Sequence, residues 1–311
     1  MLKKFLLFPI GYGTRYRGVF IPPSSGWCLY AMLMQPVLWL FIGVFYALIS
    51  YLTCKKLALL DGFVLFYSFI YLFFLEWTTR FQGLHEFSCM AFLLRQHALP
   101  SKEQIDLCKY EINDFHGESP CTLMYISGKI LLMYIIFMKA VFYTSDLLFF
   151  TILATLPSMA RTASLYSVSL NPGDSVDSIK VRRSLKILFP VTREIMVFLS
   201  ALIPSIIIAY HRYFVLGKPL SSRKYFIFHS FVEIFQQFLT NPLIIKTICY
   251  SMCFYFLMFY FAIRFSAEYW NQEAKSKFGA ISIKFAETIR ETAEFIILAV
   301  YLFIMELVDF F

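Results

Sequence analysis

The stretch Asp146-Leu147-Leu148-Phe149-Phe150-Thr151-Ile152-Leu153-Ala154-Thr155-Leu156-Pro157-Ser158-Met159-Ala160-Arg161-Thr162-Ala163 decides the class of this protein. It belongs to an apolar run of about twenty residues, the length that carries a helix across a hydrocarbon layer. Strands that cross a bilayer are shorter and alternate in polarity, and this stretch does not alternate. A helix satisfies its own backbone amides, so it is the default form for such a run. Similar runs recur along the chain. Apolar residues make up 59%, aromatic residues 20% and charged residues only 15% of the sequence. Water-soluble domains carry far more charge.

Read outward from this run, the sequence predicts seven spans. They fall at about 27–52, 57–77, 122–143, 146–170, 190–210, 242–265 and 286–308. The expected fold is therefore all-α, a polytopic membrane protein of about seven transmembrane helices. The spans and their loops use up residues 1–311, so a single integral membrane domain is expected. The short turn between the first two spans predicts a helical hairpin. The first residues, Met1-Leu2-Lys3-Lys4-Phe5-Leu6-Leu7-Phe8, imitate a signal peptide, but Pro9, Gly11 and Gly13 interrupt the apolar part. This predicts an interfacial segment rather than a cleaved leader. The long connection at 78–121 has helical spacing around Ile105–Ile112, and the aromatic, basic connection at 212–241 suits a helix on the membrane surface.

Basic residues orient the chain. Lys3, Lys4, Arg15, Arg17, Arg80, Arg95, Lys102, Lys109, Lys180, Arg182, Arg183, Lys186, Lys275, Lys277 and Lys284 lie on the N-terminal side. Lys55, Lys56, Lys139, Arg212, Lys218, Arg223 and Lys224 lie opposite, a bias of about two to one for a cytoplasmic N-terminus. The formal net charge of +8 is explained by these loops and by anionic headgroups, and nothing in the pattern calls for nucleic acid. The seven cysteines form no CxxC pair, and Cys249 and Cys253 share one apolar helical face, as lipid-facing or packing residues do.

Charged residues at membrane depth carry the functional signal. Arg161 stands about fifteen residues into its run, roughly 22 Å along a helix. A guanidinium there suits a phosphate or pyrophosphate, unless it snorkels to the interface. Glu287, Glu291 and Glu294 share one helical face at the start of the last span. Such a stripe can supply oxygen ligands to a divalent cation. Glu287 reads as a solvated first-turn acid, whereas Glu294 is deep enough to need a partner. After the second span, Glu76 and Arg80 can pair at i, i+4, and His85, Glu86, Asp114 and His116 follow in the loop. His85-Glu86 lacks the second histidine of a zinc-protease motif. The expected topology brings His85, Glu86, Asp114, Arg161, Lys284 and Glu291 to one cytoplasmic side, where an anionic substrate presented at the membrane would meet them.

The order of these groups resembles a known family. Gly83-Leu84-His85-Glu86, Glu111-Ile112-Asn113-Asp114-Phe115-His116, Leu156-Pro157 through Arg161, and Phe278-Gly279-Ala280-Ile281-Ser282 through Glu291 and Glu294 are similar, in order, to the motifs of the adenosylcobinamide-GDP ribazoletransferase (cobalamin synthase) family. The resemblance covers roughly residues 60–310. It implies a multi-pass protein of the bacterial inner membrane that joins α-ribazole or its phosphate to adenosylcobinamide-GDP and releases GMP. Mg²⁺ would neutralise the phosphates. By that resemblance Glu86, Asp114, Glu291 and Glu294 would hold the metal, Arg161 the phosphate, and His85 would orient or accept a proton; Lys284, itself a departure from the family, could replace a metal charge at a phosphate. The bilayer and a phosphorylated or nucleotide-activated small molecule would be its partners. Three positions depart from the family. Phe87 and Ala91 stand where aspartates are expected, and Lys284 stands where an aspartate follows glycine. Such losses also fit a catalytically degenerate relative that binds a ligand or partner protein. A small transporter subunit is the remaining class, but no internal repeat or pair of broken helices supports it.

Overall fold

The computed structural model describes residues 34–57, 61–78, 84, 87, 120–142, 146–170, 190–210, 242–278 and 286–310. The described residues form seven helices and no strand: α1 (Gln35–Leu57), α2 (Asp61–Thr78), α3 (Pro120–Phe142), α4 (Asp146–Leu170), α5 (Pro190–Tyr210), α6 (Pro242–Phe278) and α7 (Ala286–Phe310). Expected and observed bounds coincide at α4 and α5. The remaining segments, including the expected surface helices at 105–112 and 212–241, lie outside the described residues.

Two helices outrun their apolar runs. Lys55-Lys56 ends the apolar stretch of α1, yet the helix continues to Leu57. The sixth helix continues past Phe265 through Ser266-Ala267-Glu268 to Phe278. Ala, Glu, Gln and Lys are strong helix formers, so a change of polarity ends burial in apolar surroundings without ending the helix. Gly279 follows in the sequence, a residue that favours termination.

The central helix is α4, which packs against α1, α3, α5, α6 and α7. Every residue from Thr151 to Ser164 is buried. Its small residues explain this. Ala154, Ser158, Ala160, Ala163 and Ser164 let neighbouring backbones come close. Opposite them, α1 contributes Gly43, where a Cβ would overlap the Ala154 carbonyl and lie 2.9 Å from the Leu153 carbonyl oxygen. Pro157 cannot donate to the carbonyl of Leu153, four residues earlier. The Tyr71 hydroxyl of α2 donates to that carbonyl instead, at 3.0 Å. Hydroxyl contacts fasten the other neighbours. Ser158 donates to the Pro36 carbonyl at 2.8 Å, Thr162 meets Ser200 at 2.7 Å, and Thr155 meets Tyr301 at 2.6 Å.

The described core is mainly apolar, yet it encloses a charged cluster while large aromatic side chains face outward. Arg290, Glu291 and Glu294 are fully buried, while Phe41, Phe261 and Phe265 are 68%, 62% and 60% exposed. Two helices contain segments long and apolar enough to cross a membrane, Thr192–Tyr210 and Ile248–Glu273, and shorter apolar segments lie at Gln35–Ile49 and Ser68–Trp77. Cys249 and Cys253 are exposed on α6.

Candidate functional site

Four helices converge on a buried cluster of seven charges. The first turns of α7 supply Glu287, Arg290, Glu291 and Glu294, whose spacing places them along one side of the helix. The end of α2 supplies Glu76, α3 supplies Lys129 and α4 supplies Arg161, all 6% exposed or less. Gly128, beside Lys129, has no side chain to hold α7 away. A Cβ there would stand 3.2 Å from the Phe295 ring. This close approach carries the Lys129 ammonium up to the α7 carboxylates.

Arg290 is the hub. Its Nε donates to Glu287 at 2.9 Å, Nη1 to Glu294 at 2.6 Å, and Nη2 to Glu76 at 3.1 Å and to Glu291. Lys129 donates to Glu291 at 2.8 Å and to Glu294, and lies 3.5 Å from Glu76. Arg161 donates to Glu287 and stacks 4.6 Å from the Trp39 ring centre. The Tyr125 hydroxyl donates to Glu291 at 3.1 Å. Four carboxylates face three cations, leaving one formal negative charge. Each carboxylate has at least one cation against it, the condition under which buried charges are tolerated.

Of the residues expected from the sequence, Arg161, Glu291 and Glu294 meet in this cluster. His85, Glu86, Asp114 and Lys284 lie outside the described residues, as do Arg80, Ala91 and His116. Glu287 differs from its expected place. It is 4% exposed rather than solvated, because α4 and the α7 arginine close over it. Arg161 is 6% exposed and does not snorkel. The partners found for Glu76 are Arg290 and Lys129 on other helices. Phe87, where the resemblance expects an aspartate, stacks its ring 4.3 Å from that of Tyr125 and offers no oxygen ligand. Sequence reasoning missed Lys129 and Arg290. The signal for Lys129 was present, a cation well inside an apolar run.

Glu76, Glu291 and Glu294 each offer one carboxylate oxygen, and these oxygens lie within 4.8 Å of one another. That spacing suits one cation bound through oxygen. A cation already stands there, the Lys129 ammonium, which touches all three carboxylates. Magnesium demands near-octahedral oxygen ligands and usually keeps several waters. With Lys129 in place and Arg290 engaging the same carboxylates, these residues do not fit a magnesium ion.

A second polar group lies on α4, α5 and α6. Glu194 accepts from Tyr166 at 3.1 Å and from Tyr260 at 3.0 Å. Arg264 donates to Tyr260 at 3.1 Å and to Glu268 at 2.7 Å. Arg193 stacks on Tyr166 at 4.7 Å. Acids and bases are equal in number here, and the contacts join neighbouring helices. Comparison with family models, with curated proteins and with solved structures finds no match to this chain.

Proposed function

We propose that this chain is a multi-pass membrane protein of seven spans, N-terminus in the cytoplasm, that binds a phosphorylated or nucleotide-activated small molecule without transferring it. Membrane residence is supported by the large apolar side chains exposed on the helices. Only 22% of the apolar window of α6 is buried, which favours a lipid-facing helix over the core helix of a soluble protein. Water would penalise so much exposed aromatic surface, and lipid would not. Glu76 at the end of α2, Arg161 in the second half of α4, Lys129 in the first half of α3 and the start of α7 share the charged cluster, as alternating crossings would place them. The basic residues of the sequence favour the same side as cytoplasmic, and the resemblance to the ribazoletransferase family favours a bacterial inner membrane.

One observation counts against magnesium-dependent catalysis: every carboxylate of the buried cluster is already held by lysine or arginine. A magnesium-dependent transferase needs carboxylates left for the metal. The second reading, an active transferase of the ribazoletransferase type, is favoured by the meeting of Arg161, Glu291 and Glu294 in one cluster. In that case Lys129 must withdraw for magnesium to enter.

The test is to incubate detergent-purified protein with adenosylcobinamide-GDP, α-ribazole and magnesium. The expected result is a rise in thermal stability with adenosylcobinamide-GDP and no release of GMP. Magnesium-dependent GMP release that is lost with Glu291→Gln would establish the transferase instead. Neither stabilisation nor release would reject both readings.

A further inference from the structure

We infer that Lys129 is a built-in substitute for a divalent cation, and that removing its charge converts Glu76, Glu291 and Glu294 into a metal-binding site. The inference deepens the non-transferase reading, but it is measured by ion binding and not by turnover.

Three observations support it. The first is geometric. Carboxylate oxygens from α2 and α7 approach within 4.8 Å of one another, far closer than unscreened like charges would settle. Cations hold them from two sides: Arg290 donates to Glu294 Oε1, Glu291 Oε1 and Glu76, and the Lys129 ammonium meets Glu291 Oε2, Glu294 Oε2 and Glu76 Oε1. The second is positional. Lys129 reaches these carboxylates from α3, beside a glycine that lets α7 approach. The third is electrostatic. With Lys129 the cluster holds four carboxylates against three single positive charges. With a neutral residue at 129 and one divalent ion, four carboxylates would face Arg161, Arg290 and a doubly charged ion, and the formal charge would balance. A dication would bring more compensation than the lysine it replaced. The lysine, in turn, is always present and depends on no ion pool.

The experiment uses the full chain in detergent, stripped with chelator, and Mn²⁺ as the probe. Free Mn²⁺ is followed by electron paramagnetic resonance and the melting temperature is measured in parallel. Wild type is expected to bind no Mn²⁺ at the cluster. Lys129→Gln is expected to bind one ion saturably, at least about tenfold more tightly than wild type, and to gain stability from it. The double variant Lys129→Gln/Glu291→Gln is expected to lose that binding. A Lys129→Gln protein that folds only with Mn²⁺ supplied also supports the inference. It is overturned if wild type binds Mn²⁺ in a manner abolished by Glu291→Gln. It is overturned equally if folded Lys129→Gln binds no ion, or if this variant misfolds whether or not the ion is supplied.

Discussion

Replacing Arg290 by glutamine is the most demanding test of the charged cluster. The guanidinium touches Glu76, Glu287, Glu291 and Glu294, and its side chain is 1% exposed. Glutamine keeps most of the volume and loses the charge. The remaining cations would be Lys129 and Arg161, so four carboxylates would face two positive charges. Lys129 still reaches three of the carboxylates and Arg161 the fourth, which keeps the loss in the range of one broken buried pair. That range is about 3–5 kcal/mol. For a chain of this size it corresponds to a fall in melting temperature on the order of 10 °C. Thermal unfolding in detergent, followed by tryptophan fluorescence, measures it. The double variant Arg290→Gln/Glu287→Gln removes one acid with the base and should recover about half of the loss, as coupled neighbours do. A single variant within about 1 kcal/mol of wild type would refute the reasoning. It would show that the cluster is hydrated, or that its acids are protonated, and that Arg290 carries no compensating role.

Other outcomes follow from single contacts. Gly43→Leu places a side chain against the Leu153 and Ala154 carbonyls and should cost at least about 1–3 kcal/mol, seen as lost thermal stability, while Gly43→Ala should cost less. Tyr301→Phe removes the 2.6 Å contact to Thr155 and should cost about 1 kcal/mol in the same assay, because Thr155 keeps its bond to the Thr151 carbonyl. Arg161→Lys retains the charge facing Glu287 but loses the planar stack on Trp39, for a cost of about 1–2 kcal/mol. Phe261→Asp puts a carboxylate on the outward face of α6 and should disfavour insertion by about 2.5–3.5 kcal/mol. Carbonate extraction of cell membranes reads this directly, and unchanged membrane retention would contradict the lipid-facing assignment.

The helices were legible because an apolar run of span length admits few alternatives. The limits of α4 and α5 follow from Asp146, Leu170, Pro190 and Tyr210. The end of α6 was not legible from hydropathy, since Glu268, Gln272 and Lys275 change the solvent preference of a helix and not its propensity. Within the cluster, depth marked Arg161 and Glu294, and the shared helical face marked Glu291. Glu287 was misplaced because a first-turn acid reads as solvated until the neighbouring helices are known. For Glu76 the sequence offered Arg80, four residues away. Arg80 lies outside the described residues; the partner described is Arg290, 214 residues away, which no local spacing rule reaches. Lys129 was overlooked beside the glutamate stripe, although a cation inside an apolar run carries the same signal as an acid.

The placement of Arg290 has a consequence for how the chain is made. Ribosomes deliver α7 after the other six described helices. Until then Glu76 and Lys129 can meet each other, but the carboxylate that faces Arg161 and the arginine that joins all four acids are still unmade. The nascent protein must therefore hold an incompletely neutralised centre until α7 docks. Chains stopped short of Ala286 would keep that defect permanently. The same contacts that hold the helices together thus mark whether synthesis has passed α7, and membrane proteases that recognise charged, loosely packed helices would have a basis for removing chains that lack it.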